Sequence, residues 1–361
     1  MFKYQGVVII NTSFSINGKR IGGNGDCFLI AEIGQAHEGS LGVAHAYIDA
    51  VSTTGADAVK FQTHIADAES SKYEQFRVSG FPQDSSRYEY WKRMEFTCSQ
   101  WKELFEHAQE VGLIFLSSPF SIEAAELLEG INIPAWKVGS GEVSNGALMN
   151  YIINTGKPIL LSTGMSDWKE LDEVVNTIEL KNNLLSILQC TTSYPCSALD
   201  LGLNNIELIK QRYKYPVGFS DHSGNIFSGL SAAALGADII EVHTVFSKKC
   251  FGPDVSSSVT IEELSELANG IKFIREAINN PVNKDNMANT LSCVKELFSR
   301  SIFINKDIKT GHILTYGDFS FKEPGNGISQ IRSKEFIGKS ITRDYYKNEL
   351  LDERYINMGT Y

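Results

Sequence analysis

No stretch of this 361-residue sequence approaches the roughly 20 consecutive apolar residues that a membrane-spanning helix needs. Nor does the N-terminus carry the charged-then-apolar pattern of a secretory signal, so the expected location is the cytoplasm. The six cysteines (Cys27, Cys98, Cys190, Cys196, Cys250 and Cys293) contain no C-x-x-C pair, which argues against a zinc knuckle or a dithiol redox motif. Cys190 and Cys196 flank a strand end where a thiol could be catalytic, yet reduced and partly buried small side chains are the simpler reading. Lys and Arg form no run and the net charge is −10, which argues against nucleic-acid or anionic-membrane partners. A small anionic substrate remains compatible, since a few lysines in one cleft set a local positive field.

What is present is a repeat of apolar runs. Hydrophobic residues make up 42% and charged residues 21%, an ordinary globular balance, and the length fits one large domain with a small one. Residues 1–26 read as a lead-in, with Phe14–Ile16 and Lys19–Ile21 forming a hairpin around Asn17-Gly18. Eight strand-like runs follow: Phe28–Ile33, Ala58–Gln62, Ile114–Ser117, Ala135–Val138, Ile159–Ser162, Leu185–Gln189, Val217–Ser220 and Ile239–His243. Most are short and continuously apolar, as parallel strands covered on both faces should be. Helical patterns lie between them. Ser40–Thr54 places Leu41, Ala44, Ile48 and Val51 on one face, and capping boxes at Thr97–Gln100 and Thr260–Glu263 open two others. This alternation over residues 27–280 predicts a (β/α)8 TIM barrel, an α/β fold, with a doubly wound sheet as runner-up. The runner-up lacks the G-x-G-x-x-G that a dinucleotide fold carries after its first strand.

Between the second and third runs lies an insertion, Ala66–Phe96, rich in aromatics (Tyr73, Phe76, Phe81, Tyr88, Tyr90, Trp91). On the catalytic face of a barrel it would act as a lid or pack as a surface excursion. Residues 281–298 are expected to be a linker, and 299–361 a small, mostly β module.

Barrel chemistry sits at the C-terminal strand ends. Read in order, these give Glu32, Lys60 with Gln62, Ser117 with Ser118, Lys137 with Ser140 and Glu142, Ser162, Thr192 with Tyr194, Ser220 with His222, and Glu241 with His243. Two ammonium groups and several hydroxyls converging on one spot suit a phosphate and a carboxylate. A lysine is usually a solvated surface residue, but Lys60 and Lys137 stand inside Val/Ile/Phe runs, where that reading is weak. Glu32 would be a buried carboxylate needing a lysine, a metal or a proton. A single His is more often a satisfied core residue; His222 and His243, on successive strand ends, point to a shared divalent metal. Such an open site, with Asp254 as a nearby carboxylate, suits manganese, cobalt or zinc, with magnesium as a further option. His37, His45, His64, His107 and His312 have no such partner and read as structural.

These segments, in this order, resemble the sialic acid synthase family, the nonulosonate synthases that use phosphoenolpyruvate. The match rests on Ala31-Glu-Ile-Gly34, Gly55–Gln62, Trp136–Glu142, Leu161–Met165, Gln189–Pro195, Gly218–His222, Glu241-Val-His243 and Gly252-Pro-Asp254. In the tail, Asp307–Gly311 and Pro324–Gly327 are similar to the family's antifreeze-like (SAF) domain. The resemblance implies a metal-dependent enzyme in a domain-swapped homodimer that joins phosphoenolpyruvate to an open-chain N-acylated hexosamine. It assigns His222 and His243 to the metal, with manganese first and magnesium or cobalt as alternatives. Lys60, Lys137, Ser140, Ser162, Thr192 and Ser220 go to phosphoenolpyruvate. Gln62, Glu142, Tyr194 and Asp254 go to the sugar, and Glu32 to the reacting carbons. Glu32, Glu142, His222 and His243 form the catalytic set.

The sequence also departs from the family pattern. Glu323 stands where an Arg usually precedes Pro-Gly-x-Gly, Thr192 replaces an Asn of some members, Gln35-Ala36 and Glu38 alter an Asn-rich loop, and Val255 replaces a common His. The phosphoenolpyruvate half is kept and the acceptor half altered. Two alternatives follow: a related condensation with another aldose or a sugar phosphate, and a sugar-binding homologue with altered catalysis.

Overall fold

A computed structural model describes residues 13–23, 25–76 and 83–358. The rest of the lead-in (residues 1–12 and 24), residues 77–82 with Phe81, and 359–361 lie outside the described residues. The chain divides into two compact units after Asn280.

The first unit opens with β1 (Ser13–Ile16) and β2 (Lys19–Gly22), an antiparallel pair. Their turn places Asn17 at φ 43° and Gly18 at φ 81°, the left-handed conformation that Asn-Gly hairpins require. Eight strands follow: β3 (Phe28–Gly34), β4 (Ala58–Thr63), β5 (Ile114–Pro119), β6 (Trp136–Val138), β7 (Ile159–Ser162), β8 (Leu185–Cys190), β9 (Val217–Asp221) and β10 (Ile239–Val245). They form parallel ladders in the order β5-β4-β3-β10-β9-β8-β7-β6, with helices in the connections, and β5 and β6 lie side by side at the seam. The fold is the expected TIM barrel. A ninth strand, β11 (Ser258–Thr260), pairs with β10 through His243↔Ser258. The sequence signalled there only the helix cap at Thr260.

Side chains alternate across each strand, and this sorts the core. Leu29, Ala31, Ile33, Val59, Phe61 and Phe115 face outward and meet Ala44, Ile48, Val51, Leu104 and Ala108 of the covering helices. Phe28, Ile30, Ala58, Leu116, Ala135, Leu160, Leu188 and Ile239 point inward, and against them pack Phe14, Ile16 and Ile21 of the hairpin. The hairpin therefore stoppers the N-terminal end of the barrel. Each such buried aliphatic or aromatic side chain contributes roughly 1.5–3 kcal/mol. The helices start where the cap residues dictate: Thr97 with Gln100 and Thr260 with Glu263 form capping boxes, and Ser40 accepts from the N–H of Val43.

In the second unit the stretch expected as a linker forms two short helices, Lys284–Thr290 and Ser292–Phe298. Beyond it, Ser301–Ile304 pairs antiparallel with Phe319–Lys322, and Ser340–Ile341 with Ile356–Asn357. Ile302, Ile304, Leu314, Phe336 and Tyr345 form its core. Asp318 is fully buried there, 2.7 Å from Lys306 Nζ and 2.9 Å from His312 Nε2. Among the described residues no helix is long and apolar enough to cross a membrane.

Candidate active site

The same alternation that fills the barrel builds the site. Two residues beyond inward-facing Ile30, Ala58, Ala135, Leu160 and Ile239 come Glu32, Lys60, Lys137, Ser162 and Glu241. The ladder sets Glu32 beside Lys60 and His243 beside Glu32. Register, rather than any loop, brings these charges together.

Two ammonium groups and two carboxylates meet in a buried cluster. Lys60 Nζ lies 2.6 Å from Glu32 Oε2 and donates to Ser118 Oγ at 3.3 Å. Lys137 Nζ donates to Ser162 Oγ at 2.7 Å and lies 3.4 Å from Glu241 Oε1, which is 3.8 Å from Lys60. Ser220 Oγ donates to that same Glu241 oxygen at 3.1 Å. Burial would raise the Glu241 carboxyl, but Lys137 and Lys60 outweigh it and hold it down at about 2. Burial likewise pulls on both lysines. At Lys60 the charges of Glu241 and Glu32 win and the ammonium is favoured; at Lys137 burial wins and the value is lowered. Sequence reasoning gave the lysines a role but none to Glu241, the residue that holds both in place.

The imidazoles of His222 and His243 stand 5.4 Å apart between ring centroids, with the Tyr194 ring 4.1 Å from that of His222. His222 Nδ1 is 2.9 Å from the carbonyl of Thr191, which places the ring proton there and leaves Nε2 as a lone-pair donor. Burial and His243 lower His222 to about 4, so the ring is neutral, as a metal ligand must be. The donor set thus fits an open site with two imidazoles. Among the described residues no group of three or more His, Cys, Asp or Glu is arranged to hold an ion, so Asp254 does not complete a ligand set.

All of this opens into one cavity of about 520 Å³. Lys60, Lys137, Ser140, Ser162, Thr192 and Ser220, expected to hold phosphoenolpyruvate, line it, as do Gln62, Glu142, Tyr194 and Asp254, expected for the sugar, with Glu32 and the two histidines. Ser140 Oγ accepts from the N–H of Gly164 at 2.9 Å. A Cβ at Gly164 would come within 2.4 Å of Thr192 Oγ1 and 2.8 Å of Ser140 Oγ, so this loop admits only glycine without displacement. Burial raises the Glu142 carboxyl, which accepts from Asn145 Nδ2 at 2.9 Å.

Ser117 does not join the cluster: it faces away from Ser118 and donates to the carbonyl of Phe61 at 3.1 Å, because neighbours on a strand point to opposite sides. His64, read from sequence as structural, does line the cavity, with Gln35, Glu69, Glu74, Arg87, Trp91 and Phe120. Four of these come from the insertion, which therefore forms part of the site wall. Only their shared neighbourhood marks them, and no strand-end pattern announces it. His37 accepts from the N–H of Gly39, His45 and His107 pair with each other, and His312 pairs with Asp318.

Comparison with known proteins gives a consistent result. The NeuB family model matches residues 47–283. The N,N'-diacetyllegionaminic acid synthase of Campylobacter jejuni is 34% identical over 331 residues, covering 90% of this chain and 98% of that protein. The N-acetylneuraminate-9-phosphate synthase of Homo sapiens is 32% identical over 345 residues, 94% of this chain and 95% of that one. Among solved structures, the N-acetylneuraminic acid synthetase of Leptospira borgpetersenii in complex with citrate superposes with a TM-score of 0.69 at 27% identity, covering 78% of this chain and 95% of that chain.

Proposed function

This chain belongs to the NeuB family, and we propose that it condenses phosphoenolpyruvate with an open-chain N-acylated hexosamine to give a nine-carbon 3-deoxy-2-keto acid and inorganic phosphate. It is an enzyme, as its relatives named as synthases are. The observation that carries the finer reading is the buried Lys60–Glu32 and Lys137–Glu241 cluster beside the two imidazoles of His222 and His243 at one barrel mouth.

The chemistry follows from those groups. Lys60 and Lys137, with the hydroxyls of Ser140, Ser162, Thr192 and Ser220, hold the phosphate and carboxylate of phosphoenolpyruvate in a water-poor pocket. C3 of phosphoenolpyruvate attacks the sugar aldehyde carbon, whose oxygen takes up a proton and becomes a hydroxyl. C2, now an oxocarbenium, adds water, which gives up a proton with Glu32 the nearest carboxylate. The C2–O bond to phosphate then breaks, the C2 hydroxyl gives its proton to the departing phosphate, and the C2 ketone forms. Gln62, Glu142, Tyr194 and Asp254 face the sugar. A divalent ion, manganese first with magnesium or cobalt as alternatives, would be held by His222 and His243 and would polarise the aldehyde oxygen.

Acidic side chains favour an unphosphorylated acceptor. Glu74, Glu142 and Asp254 line the cavity with Glu69, whose carboxyl burial pushes up to about 8, and Arg87 is its one arginine among the described residues, 3.4 Å from Glu74. A second phosphate would meet more repulsion than attraction there. The protein is further proposed to act in the cytoplasm as a domain-swapped homodimer, which its mass in solution tests. The deciding experiment is phosphate release from phosphoenolpyruvate with a panel of aldoses, N-acetylated, diacetylated and phosphorylated. Turnover with an N-acylated hexosamine is expected. Turnover with a phosphorylated aldose alone would select the related condensation, and ligand binding without phosphate release would select the binding homologue.

A further inference from the structure

We infer that Glu69, positioned by His64, is a specificity-determining residue of the acceptor half of the cavity, where its second carboxyl oxygen meets a hydroxyl or amide N–H of the acyl-amino sugar. The inference rests on the function proposed above and adds to it a contact that the strand-end residues do not make.

A line of hydrogen bonds runs from the reacting centre to this residue. Gln62 Nε2 donates to Glu32 Oε1 at 2.7 Å, which turns the Gln62 carbonyl toward Gln35. Gln35 Nε2 then donates to Gln62 Oε1 at 2.7 Å and lies 2.8 Å from His64 Nε2. An amide nitrogen can only donate, and at 2.8 Å this contact is closer than that of Nε2 to Gln62 Oε1 at 3.3 Å, so His64 Nε2 accepts and the ring proton sits on Nδ1. Nδ1 lies 2.5 Å from Glu69 Oε1 and donates to it. The imidazole cannot swing away. It is stacked between the rings of Trp91, at 3.7 Å and 16°, and Phe120, at 4.3 Å and 15°. Tautomer and ring plane are therefore both fixed, and with them the Glu69 carboxyl.

The far oxygen is the one left over. The Glu69 side chain is only 9% exposed, and burial pushes its carboxyl up to about 8; it has a backbone hydrogen bond with Ile65 besides that of His64, and its Oε2 is buried without a partner of good geometry among the described residues. A buried, unpaired carboxyl oxygen costs free energy that no packing contact returns. Yet Glu69 lines the cavity, held by a five-residue hydrogen-bonded line, which places its carboxyl beside what enters. Its acidic neighbours Glu74 and Glu142 disfavour an anionic group as its partner, with Arg87 the one opposing charge nearby. A neutral ligand carrying hydroxyl and amide donors satisfies it.

The test uses the full chain and the N-acylated hexosamine that gives turnover in the aldose panel. Glu69→Ala is expected to raise KM for that sugar about tenfold or more, while KM for phosphoenolpyruvate stays within about twofold. Glu69→Gln, which keeps size and a hydrogen-bonding end, is expected to recover most of the loss. His64→Ala should raise the same KM, and Glu69→Ala added to it should have little further effect, because the two act as a unit. An unchanged sugar KM in Glu69→Ala, or an equal rise in both KM values, overturns the inference and leaves the proposed reaction standing. If Glu69→Ala does not fold, a Glu69→Gln enzyme with a sugar KM as poor as that of His64→Ala overturns it, and one close to the parent upholds it. If the parent enzyme turns over no N-acylated hexosamine, the inference falls together with the proposed function.

Discussion

Lys60 and Glu32 form a 2.6 Å ion pair with both side chains almost wholly buried. Neither charge has water to fall back on, so removing Glu32 leaves Lys60 with Glu241 alone, 3.8 Å away, at a cost of up to about 3–5 kcal/mol. Glu32→Gln is therefore expected to lower thermal stability measurably while keeping the barrel folded. Phosphate release should fall at least about a hundredfold if Glu32 takes the proton of the attacking water, as proposed. Circular dichroism melts and a phosphate assay check the two parts separately.

Lys137 is held by Ser162 and Glu241 and faces the cavity end with hydroxyls. Its replacement by Ala should raise KM for phosphoenolpyruvate about ten- to a hundredfold, with a much smaller change for the sugar. Initial rates with each substrate varied in turn decide it. The reverse pattern would mean that the two subsites are exchanged.

Two imidazoles with no third protein ligand among the described residues would make a metal site that one substitution should empty. His222→Ala and His243→Ala should each cut bound metal, measured by elemental analysis of purified protein, and reduce turnover to background. Full activity after exhaustive chelation would refute the metal role.

Asp318 supplies a pH-dependent term in the second unit. Burial would raise its carboxyl, but Lys306, His312 and the Thr315 amide outweigh this and hold it well below the usual carboxylate range. Its folded value is depressed, so its contribution is present above the unfolded value of about 3.9 and is lost as pH falls below it. Amide exchange in the pair Ser301–Ile304 and Phe319–Lys322 should therefore accelerate as pH is lowered through about 4, after correction for intrinsic rates. In Asp318→Asn the protection should already be reduced by about 2 kcal/mol at neutral pH, and the acid-dependent part should vanish.

The barrel was legible because parallel strands covered on both faces must be short apolar runs, and eight such runs punctuated by capping signals leave little choice of fold. The cluster was legible because Lys60 and Lys137 interrupt those runs two residues past an inward-facing apolar side chain. The same parity could have separated Ser118 from Ser117. Glu241 was hidden by its place in a motif that drew attention to His243. The His64–Glu69 pair was hidden for a different reason. Its meaning depends on Gln35 behind it and on Trp91 and Phe120 on either side, three positions from three connections that no local pattern links. The helix Lys284–Thr290 was hidden because it starts inside the Asn-rich, polar run 279–286, which reads as a linker, whereas a helical stretch between that run and residue 299 was legible and is Ser292–Phe298.

Phe14, Ile16 and Ile21 make the barrel a vessel with a sealed base. Reactants and products must then use one doorway, at the rim. Whatever settles deepest, against Lys60 and Lys137, has to come in before its co-reactant and can depart only after the other has cleared the way.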